Sequence, residues 1–433
     1  MHNWYKNSAL IVILFMSAVV KAQVAPSPFS SLGIGQHVSP ALVQNMGSGG
    51  LGIGTGSYWN LNNVNPALLV YNRGTIFSDL TIFQTGIAME SGKISNGTAS
   101  DKTSGANMNY LTTGFPILKK KWNAAIGIMP YSVLNYNLNY TYDIIGPTDS
   151  IAYIQENGKG GVNRIFWSNG FALNKNFSVG IKGNYLFSST TYEISNVIND
   201  SDFGIYNVPT IYERTSHSGF LFNSGIVYQD TIRNVENKDP ITLTVGVQFD
   251  HGGKIKAKNF KSFQKRNLSN TSVNADTLVD NVEGKLEFPQ SIGFGFSIGQ
   301  PAKWSLGVDY KQGKWSEFKS FGNSVNFANT TSYTIGGEFT PDAFSVDKYL
   351  KRVTFRVGGS YETTPYVING MQVKDFGINF GMTFPVQGLS SLDFAIRAGK
   401  MGNVAENLIE QNYIKAYLGF TFNDRWFVRR KFN

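Results

Sequence analysis

Hydrophobic and polar residues alternate along most of this chain, from about residue 74 towards the C-terminus. In one segment the apolar residues Phe376, Ile378, Phe380, Met382 and Phe384 are separated by Gly377, Asn379, Gly381 and Thr383. Successive side chains of a β-strand point to opposite faces, so this pattern predicts strands with one apolar face. Segments 177–187, 241–250 and 304–311 repeat the pattern. A second face of glycine and polar residues is typical of a wall between lipid and a lumen.

Fourteen such strands are predicted, separated by residues that favour turns. They span 74–91, 105–118, 122–142, 160–174, 176–195, 213–230, 240–263, 285–299, 303–319, 331–341, 351–362, 374–385, 391–400 and 412–423. An even number of antiparallel strands suits a bacterial membrane barrel, in which closure satisfies every strand edge. A soluble β-sandwich also alternates, but its strands are usually shorter. The predicted fold is therefore all-β: a 14-stranded antiparallel transmembrane β-barrel.

The connections between these strands tend to alternate between short and long. The turns near 119–121, 175 and 300–302 are short, whereas 196–212 and 264–284 are the longest connections. In membrane barrels short turns face the periplasm and long loops face the outside. Both termini of the barrel are thus expected on the periplasmic side.

The N-terminus has the features of an export signal. Lys6 precedes an apolar run from Ser8 to Val20, and small residues precede a cleavage site before Gln23. The run is too short to span a bilayer, so residues 1–22 are predicted to be a signal peptide. Export of a chain with alternating strands predicts the outer membrane of a Gram-negative bacterium as its location. The barrel is assigned to residues 73–433.

Residues 23–72 are expected to form an arm and a plug, or hatch, inside the barrel. Six glycines between Gly47 and Gly56 allow close folding of the backbone. Asn65 is a favourable helix N-cap, and Pro66 suits the first helical position. A capped helix after a flexible loop is the alternative interpretation. The G-x-G-x-x-G pattern at 47–52 has no strand before it and no acidic residue after it, which excludes a dinucleotide site.

Composition supports a membrane barrel. Aromatic residues make up 14% of the chain and charged residues only 15%, below the quarter that is usual for soluble proteins. The chain has no cysteine, which excludes disulfides and thiolate chemistry. Its net charge of +9 is mostly scattered, and the basic runs 119–121 and 429–431 are interpreted as solvated faces. No nucleic-acid binding is predicted.

Candidate chemistry is sparse. The four histidines lack the spacing of a metal site, and no G-x-S-x-G elbow occurs. No enzyme activity, cofactor or metal is therefore predicted. The charges Lys182, Lys311, Arg356 and Arg397 fall on the lumen face and are candidates for binding a carboxylate head group. Alternatively, they pair with acidic residues and with the plug.

Several stretches, taken in order, carry a resemblance to a known family. The plug ends in Asn65-Pro66-Ala67. Farther along, the strand LEFPQSI at 286–292 is followed by WSLGVDY at 304–310, WSEF at 315–318 and RVGGSYETTP at 356–365. Together with the signal peptide and the fourteen strands, these stretches resemble the FadL-type outer-membrane transporters of long-chain fatty acids and other hydrophobic compounds.

This resemblance implies transport of a hydrophobic, fatty-acid-like small molecule by a monomeric barrel surrounded by outer-membrane lipid. Asn65, Pro66 and Ala67 would belong to the hatch, and a kinked strand would provide a lateral exit. Gly127 and Pro130 on the third strand are the candidates for that opening, because proline cannot donate to the strand ladder. A simple bulge is the alternative.

A second function stays open at this point. Plugged barrels that resemble this family also act as non-transporting partners in surface or protein-secretion assemblies. The sequence names neither a ligand nor a protein partner, so it does not choose between the two functions.

Overall fold

The computed structural model of the chain describes residues 24–74, 78–144, 150–199, 208–232, 240–267, 269–386 and 390–425. The signal peptide predicted over 1–22 lies outside these residues. The described strands are β1 (Gln36–His37), β2 (Thr81–Ser95), β3 (Ser100–Leu118), β4 (Trp122–Ile144), β5 (Ser150–Ala172), β6 (Phe177–Asn199), β7 (Val208–Ile232), β8 (Ile241–His251), β9 (Gly253–Arg266), β10 (Ser272–Phe288), β11 (Ser291–Gln300), β12 (Trp304–Gly313), β13 (Lys319–Ser320), β14 (Asn323–Ser324), β15 (Thr330–Phe339), β16 (Thr354–Ile368), β17 (Met371–Pro385), β18 (Ser391–Gly402) and β19 (Glu410–Asp424).

The described residues form few helices, and these are short. Two are α-helical, at Val43–Gly47 and Val404–Asn407. Four are 3-10 helices, at Pro28–Ser31, Pro66–Gly74, Trp315–Glu317 and Tyr349–Arg352. Among the described residues, no helix has the length and apolar character needed to cross a membrane.

Fourteen of the described strands form the wall of a closed antiparallel barrel. They are β2 to β8, β11, β12 and β15 to β19. The barrel closes where β19 pairs with β2, from Glu410 opposite Ser95 to Asp424 opposite Thr81. The predicted fold class is therefore confirmed.

The alternation in the sequence corresponds to the two faces of the wall. On β17 the side chains of Phe376, Phe380 and Met382 are 50%, 59% and 40% exposed on the outer surface. Asn379 and Thr383 point inward and are 0% and 5% exposed. An apolar outer band with a polar lumen is the arrangement that a bilayer requires of a barrel.

The two ends of the barrel differ in height. The lower end, as it is called here, has the short turns at 119–121, 173–176 and 301–303. At the upper end β4 to β7 run to 23–25 residues, although a tilted strand needs only about 9–11 residues to span a bilayer. These strands therefore extend well beyond the upper membrane surface.

Strands β9 and β10 belong to the same upper extension. β9 continues the line of β8 after Gly252, and β10 leads into β11 through Pro289 and Gln290. The loop predicted over 264–284 is therefore wrong, because β10 begins at Ser272 and pairs with β9. The sequence pattern did not predict this strand because most of β10 is exposed on both faces. A strand with no buried face has no apolar alternation to reveal it.

The N-terminal residues lie inside the wall. The arm, residues 24–45, packs Phe29 and Ile34 (0% and 5% exposed) into an apolar cluster near the upper end. The plug, residues 46–74, lies below the arm and buries Leu51, Ile53 and the 3-10 helix Pro66–Gly74.

A ring of inward-facing glycines seats the plug. A Cβ atom at any of them would come within 3.0 Å of a plug atom. This glycine belt comprises Gly170, Gly180, Gly225, Gly246, Gly295, Gly307, Gly336, Gly358 and Gly381, one on each of nine neighbouring wall strands. Gly170 pairs directly with Gly180, and Gly180 pairs with Gly225. The backbone of the plug thus approaches the backbone of the wall, which side chains would prevent.

Candidate functional site

The wall has a gap between β3 and β4. Their ladder starts at Leu118 opposite Trp122 and stops at Leu111 opposite Ile128. Above this point β3 pairs only with β2, whereas β4 continues beside β5 to its upper end. The missing pairing among the described residues defines the β3–β4 gap.

Pro130 lies at the lower edge of this gap, two residues above Ile128. The register of β4 against β5 shifts between Pro130 and Ser132, which makes a bulge at this point. Gly127 lies lower, inside the continuous ladder, where it pairs with Thr112. A Cβ at Gly127 would come within 2.7 Å of the ring of Phe166, so this glycine permits close packing of that ring.

The arm covers the inner side of the gap. Strand β1 pairs with Ser132 and Val133 of β4, taking the place that β3 leaves. Higher up, the backbone N–H of Ser27 donates to the carbonyl of Asn135 over 2.9 Å. The free edge of β4 is thus satisfied by the arm from inside the barrel, as a strand edge in a membrane must be.

A cavity of about 440 Å³ lies above the plug and reaches the gap. Ala106 and Asn109 of β3 line it on one side of the gap, and Tyr131 and Val133 of β4 line it on the other. The remainder of the lining carries charged side chains from strands around the barrel. The cavity therefore connects the gap with a lumen whose lining mixes apolar and charged side chains.

Three of the four predicted head-group residues line this cavity, and each has a partner. Lys182, 2% exposed, donates to the carbonyl of Asn63 in the plug over 2.6 Å. Lys311 forms a salt bridge of 2.7 Å with Asp250. Arg397 forms one of 3.0 Å with Asp375 and donates to Tyr413.

Arg356 lies apart from the other three. It forms a 3.0 Å salt bridge with Glu338 and lines a small separate cavity beside Ser48 of the plug. The structure therefore does not bring all four candidates into one site. Arg356 joins β16 to Glu338 of β15 and Thr383 of β17 beside the plug, and it does not line the main cavity.

Arg164 on β5 is a lumen cation that the sequence reasoning missed, as is Lys415 on β19. Arg164 lines the main cavity, is 6% exposed, and its Nε and Nη2 atoms have no hydrogen-bond partner among the described residues. Its guanidinium lies 5.6 Å from the ring centre of Tyr131 at the gap. The sequence contains the evidence for this position. Ile165 and Trp167 point outward, so the alternation along β5 places Arg164 on the lumen face.

His37 of the arm faces the same cavity. Burial, followed by the positive charges of Lys311 and Arg164, lowers the pKa of His37 to about 4. The imidazole is therefore neutral at physiological pH. It packs edge-on against Trp315 at 4.4 Å and against Tyr131 at 5.4 Å. The positive charge of this part of the cavity thus comes from lysine and arginine.

The glycine-rich loop of the plug holds a carboxylate of the wall. The backbone N–H groups of Gly52, Ile53 and Gly54 donate to Asp309 of β12 over 2.8, 2.9 and 3.4 Å. Successive N–H groups that converge in this way form an anion-binding concavity. The glycine-rich segment that begins at the end of the G-x-G-x-x-G pattern therefore binds an aspartate of its own barrel.

The triplet Asn65-Pro66-Ala67 holds the lower part of the plug. Asn65 is 0% exposed and its Oδ1 accepts from the N–H of Ala67 over 3.1 Å, which caps the 3-10 helix. Its Nδ2 donates to the carbonyl of Ile53 over 2.8 Å and to that of Val247 on β8 over 3.3 Å. The triplet thus joins the helix, the glycine-rich loop and the wall.

Comparison with solved structures shows the same fold. The toluene transporter TodX of Pseudomonas putida superimposes with a TM-score of 0.56 at 14% identity, covering 90% of this chain and 99% of TodX. The toluene transporter TbuX of Ralstonia pickettii gives 0.54 at 14% identity, covering 88% and 98%. A FadL homologue of Pseudomonas aeruginosa gives 0.52 at 14% identity, covering 90% and 99%. The predicted resemblance to FadL-type barrels is confirmed for the fold.

Sequence comparison adds a family assignment. No curated protein sequence matches the chain. A family model, described as BamG, matches residues 5–433, which is nearly the whole chain. The chain therefore belongs to the BamG family and has the fold of a FadL-type barrel.

Proposed function

We propose that this protein carries fatty-acid-like hydrophobic molecules across the outer membrane as a monomeric barrel, with lateral exit at the β3–β4 gap. The observation that carries the proposal is the cavity that runs from this gap to the buried guanidinium of Arg164. A long acyl chain gains little from release into water, because each exposed CH₂ costs about 0.8 kcal/mol. A route through the wall into lipid avoids that cost.

The mixed polar and apolar lining of the cavity suits an amphiphile. Arg164 and Lys182 would face a carboxylate, and Tyr131 and Val133 would face the acyl chain. A guanidinium with unused N–H groups is well suited to a carboxylate, which it can bind through two parallel hydrogen bonds. Solved structures with this fold are named as transporters and channels for toluene and monoaromatic hydrocarbons, which supports a hydrophobic substrate.

Lateral exit would require the arm to leave β4. Because the chain has no cysteine, a pair placed at Gln36 and Val133 can be joined by a disulfide or a short thiol cross-linker. We expect the cross-linked Gln36→Cys/Val133→Cys protein to lose uptake of a labelled long-chain fatty acid into liposomes, and reduction or cleavage of the link to restore it. Each single-cysteine variant, treated in the same way, should transport normally. Unchanged uptake by fully cross-linked protein would contradict exit at this gap.

Arg164 provides a test of the substrate's head group. We expect Arg164→Gln to weaken binding of a long-chain fatty acid by about 10- to 100-fold, the usual effect of losing a hydrogen-bonded charge. Binding of the alcohol of the same chain length should change little, and Arg164→Lys should recover part of the affinity for the acid. Equal losses for acid and alcohol, measured by ligand titration, would mean that Arg164 only supports the cavity.

A second candidate is partnership in a surface or protein-secretion assembly. The outer edge of β10 favours it, because residues 272–284 pair with β9 on one side only. Val273, Leu278 and Val282 on this strand are 65%, 55% and 52% exposed. An exposed strand edge is a template for adding a strand from another protein. A photo-cross-linker at Val273 that gives one discrete adduct in native membranes, absent with the cross-linker at Val346, would favour this function.

A further inference from the structure

Basic side chains cluster on the outer surface where β7, β9 and β10 leave the apolar band. The cluster, called the basic belt, consists of Arg214, Lys254, Lys256, Lys258, Lys285 and Lys319, and all six are exposed. Lys256 of β9 pairs with Lys285 of β10, whereas Lys254 and Lys258 pair with Glu287 and Glu283. Directly paired residues of an antiparallel sheet share a face, so these side chains all point away from the lumen.

The belt lies just above the aromatic edge of the apolar band. On β7, Ile226, Phe222 and Phe220 are 54%, 48% and 61% exposed. Phe220 packs against Tyr185 of β6 with 5.0 Å between ring centres, and Lys256 pairs with the next outward residue, Ser218. Aromatic girdles mark the level of the membrane interface. The belt is therefore at the height of lipid head groups on the upper, outer side.

The charge of the belt is only partly neutralised by its own strands. Glu283 and Glu287 of β10 lie directly opposite Lys258 and Lys254. Within the described part of the chain, only Lys254 of the belt forms a salt bridge, with Glu287 over 2.8 Å. Six cations against these two glutamates leave the belt with an excess of positive charge.

One pair in the belt points directly to an anion. Lys256 and Lys285 lie opposite each other on the same face, with no carboxylate at salt-bridge distance among the described residues. Like charges directly opposite on a sheet are destabilising. A phosphate between the two ammonium groups would replace repulsion with two charge-assisted contacts.

We propose that the basic belt binds the phosphate groups of a phosphorylated lipid in the outer leaflet of the outer membrane. The acyl chains of such a lipid would lie along Phe220, Phe222 and Ile226, and its phosphates would meet Lys256, Lys258 and Lys285. This surface is outside the lumen and separate from the β3–β4 gap. The proposal therefore does not depend on transport.

The test uses purified full-length protein in detergent, with diphosphoryl lipid A as the probe and native mass spectrometry as the readout. We expect Lys256→Gln/Lys258→Gln/Lys285→Gln to lower the affinity for this lipid by about tenfold or more, since each cation near an anionic lipid surface contributes to binding. The charge-matched control, Lys159→Gln/Lys374→Gln/Lys400→Gln, should lose less than about threefold by the same reasoning, because none of these lysines lies opposite another cation. The belt variant with arginine at the three positions should bind like wild type.

Two further measurements separate recognition of the phosphates from adsorption of the acyl chains and from binding of a free anion. Lipid A from which both phosphates have been removed should bind the belt variant and the wild type equally. Inorganic phosphate should compete only weakly, because it lacks the acyl chains that lie on the apolar band. Equal binding by the belt variant and wild type, equal losses in the control, or strong displacement by inorganic phosphate would overturn the proposal. A heat-dependent gel shift, retained in all variants, shows that each barrel is assembled.

Discussion

Deletion of residues 46–67 is expected to turn a closed barrel into a conducting pore in planar bilayers. An eight-stranded barrel is filled by its own side chains, but the interior of fourteen strands is too wide for that. Here the wall carries glycine where the plug touches it, so nothing else fills the space once the plug is removed. Conductance should rise sharply over the wild type.

The control for this deletion shortens the chain outside the lumen. Replacing residues 264–275, the outer end of the β9–β10 hairpin, with an Asn-Gly turn between the paired Phe263 and Asp276 should leave conductance near the wild-type level. Both proteins should show the same heat-dependent gel shift. Near-zero conductance from an assembled barrel without residues 46–67 would mean that this stretch does not close the lumen.

Gly180→Ala is expected to unseat the plug, whereas Gly183→Ala three residues away is expected to have almost no effect. A Cβ at Gly180 would overlap the backbone of Pro66 and Ala67, and no side chain there can turn away to make room. Overpacking of this kind usually costs about 1–3 kcal/mol, and more where the neighbours cannot move. Gly183 faces outward, and its nearest neighbour would be Phe222 at 3.5 Å, an ordinary contact.

Three measurements distinguish the two variants. Gly180→Ala should lower the temperature at which the folded barrel loses its fast gel mobility, expose the plug to protease, and raise channel activity. Gly183→Ala should match wild type in all three. If both variants behave like wild type, the plug is held loosely and the glycine belt does not seat it.

The strands of the wall could be predicted because lipid and lumen impose opposite requirements on alternate residues. This requirement holds on β17, where Phe380 and Asn379 are neighbours in sequence but lie 59% and 0% exposed. It ends above the membrane, where both faces of β10 meet solvent and the prediction of a loop was wrong. The alternation of polar and apolar residues thus indicates burial. It reveals a strand only where one face of that strand is buried.

The candidate site could be predicted only in part. Lys182, Lys311 and Arg397 were identified because charges at inward positions stand out in the sequence. The salt-bridge partners of these residues could not be predicted. Lys311, for example, pairs with Asp250, which lies on a strand distant in sequence. The pairing of β1 with β4 was also out of reach, because two residues among prolines carry no period.

The role of the glycines was the least predictable feature. Gly377 and Gly381 look alike in sequence, yet Gly381 touches Gly47 of the plug and Gly377 makes room for the guanidinium of Arg397. A residue without a side chain gives no sign of what lies against it. The glycine content of this chain was interpreted as lumen lining, but at nine positions the glycine makes room for the plug, and at seven of these for the backbone of the plug.

The glycine belt also bears on how the barrel assembles. The plug touches neighbouring strands over most of the circumference and is held on both sides of the lumen, by Asp309 and by Lys182. We expect such extensive contact to form most readily while the wall is still open, with the plug enclosed when β2 pairs with β19. On this view the plug is a scaffold for the wall as well as a closure of the lumen.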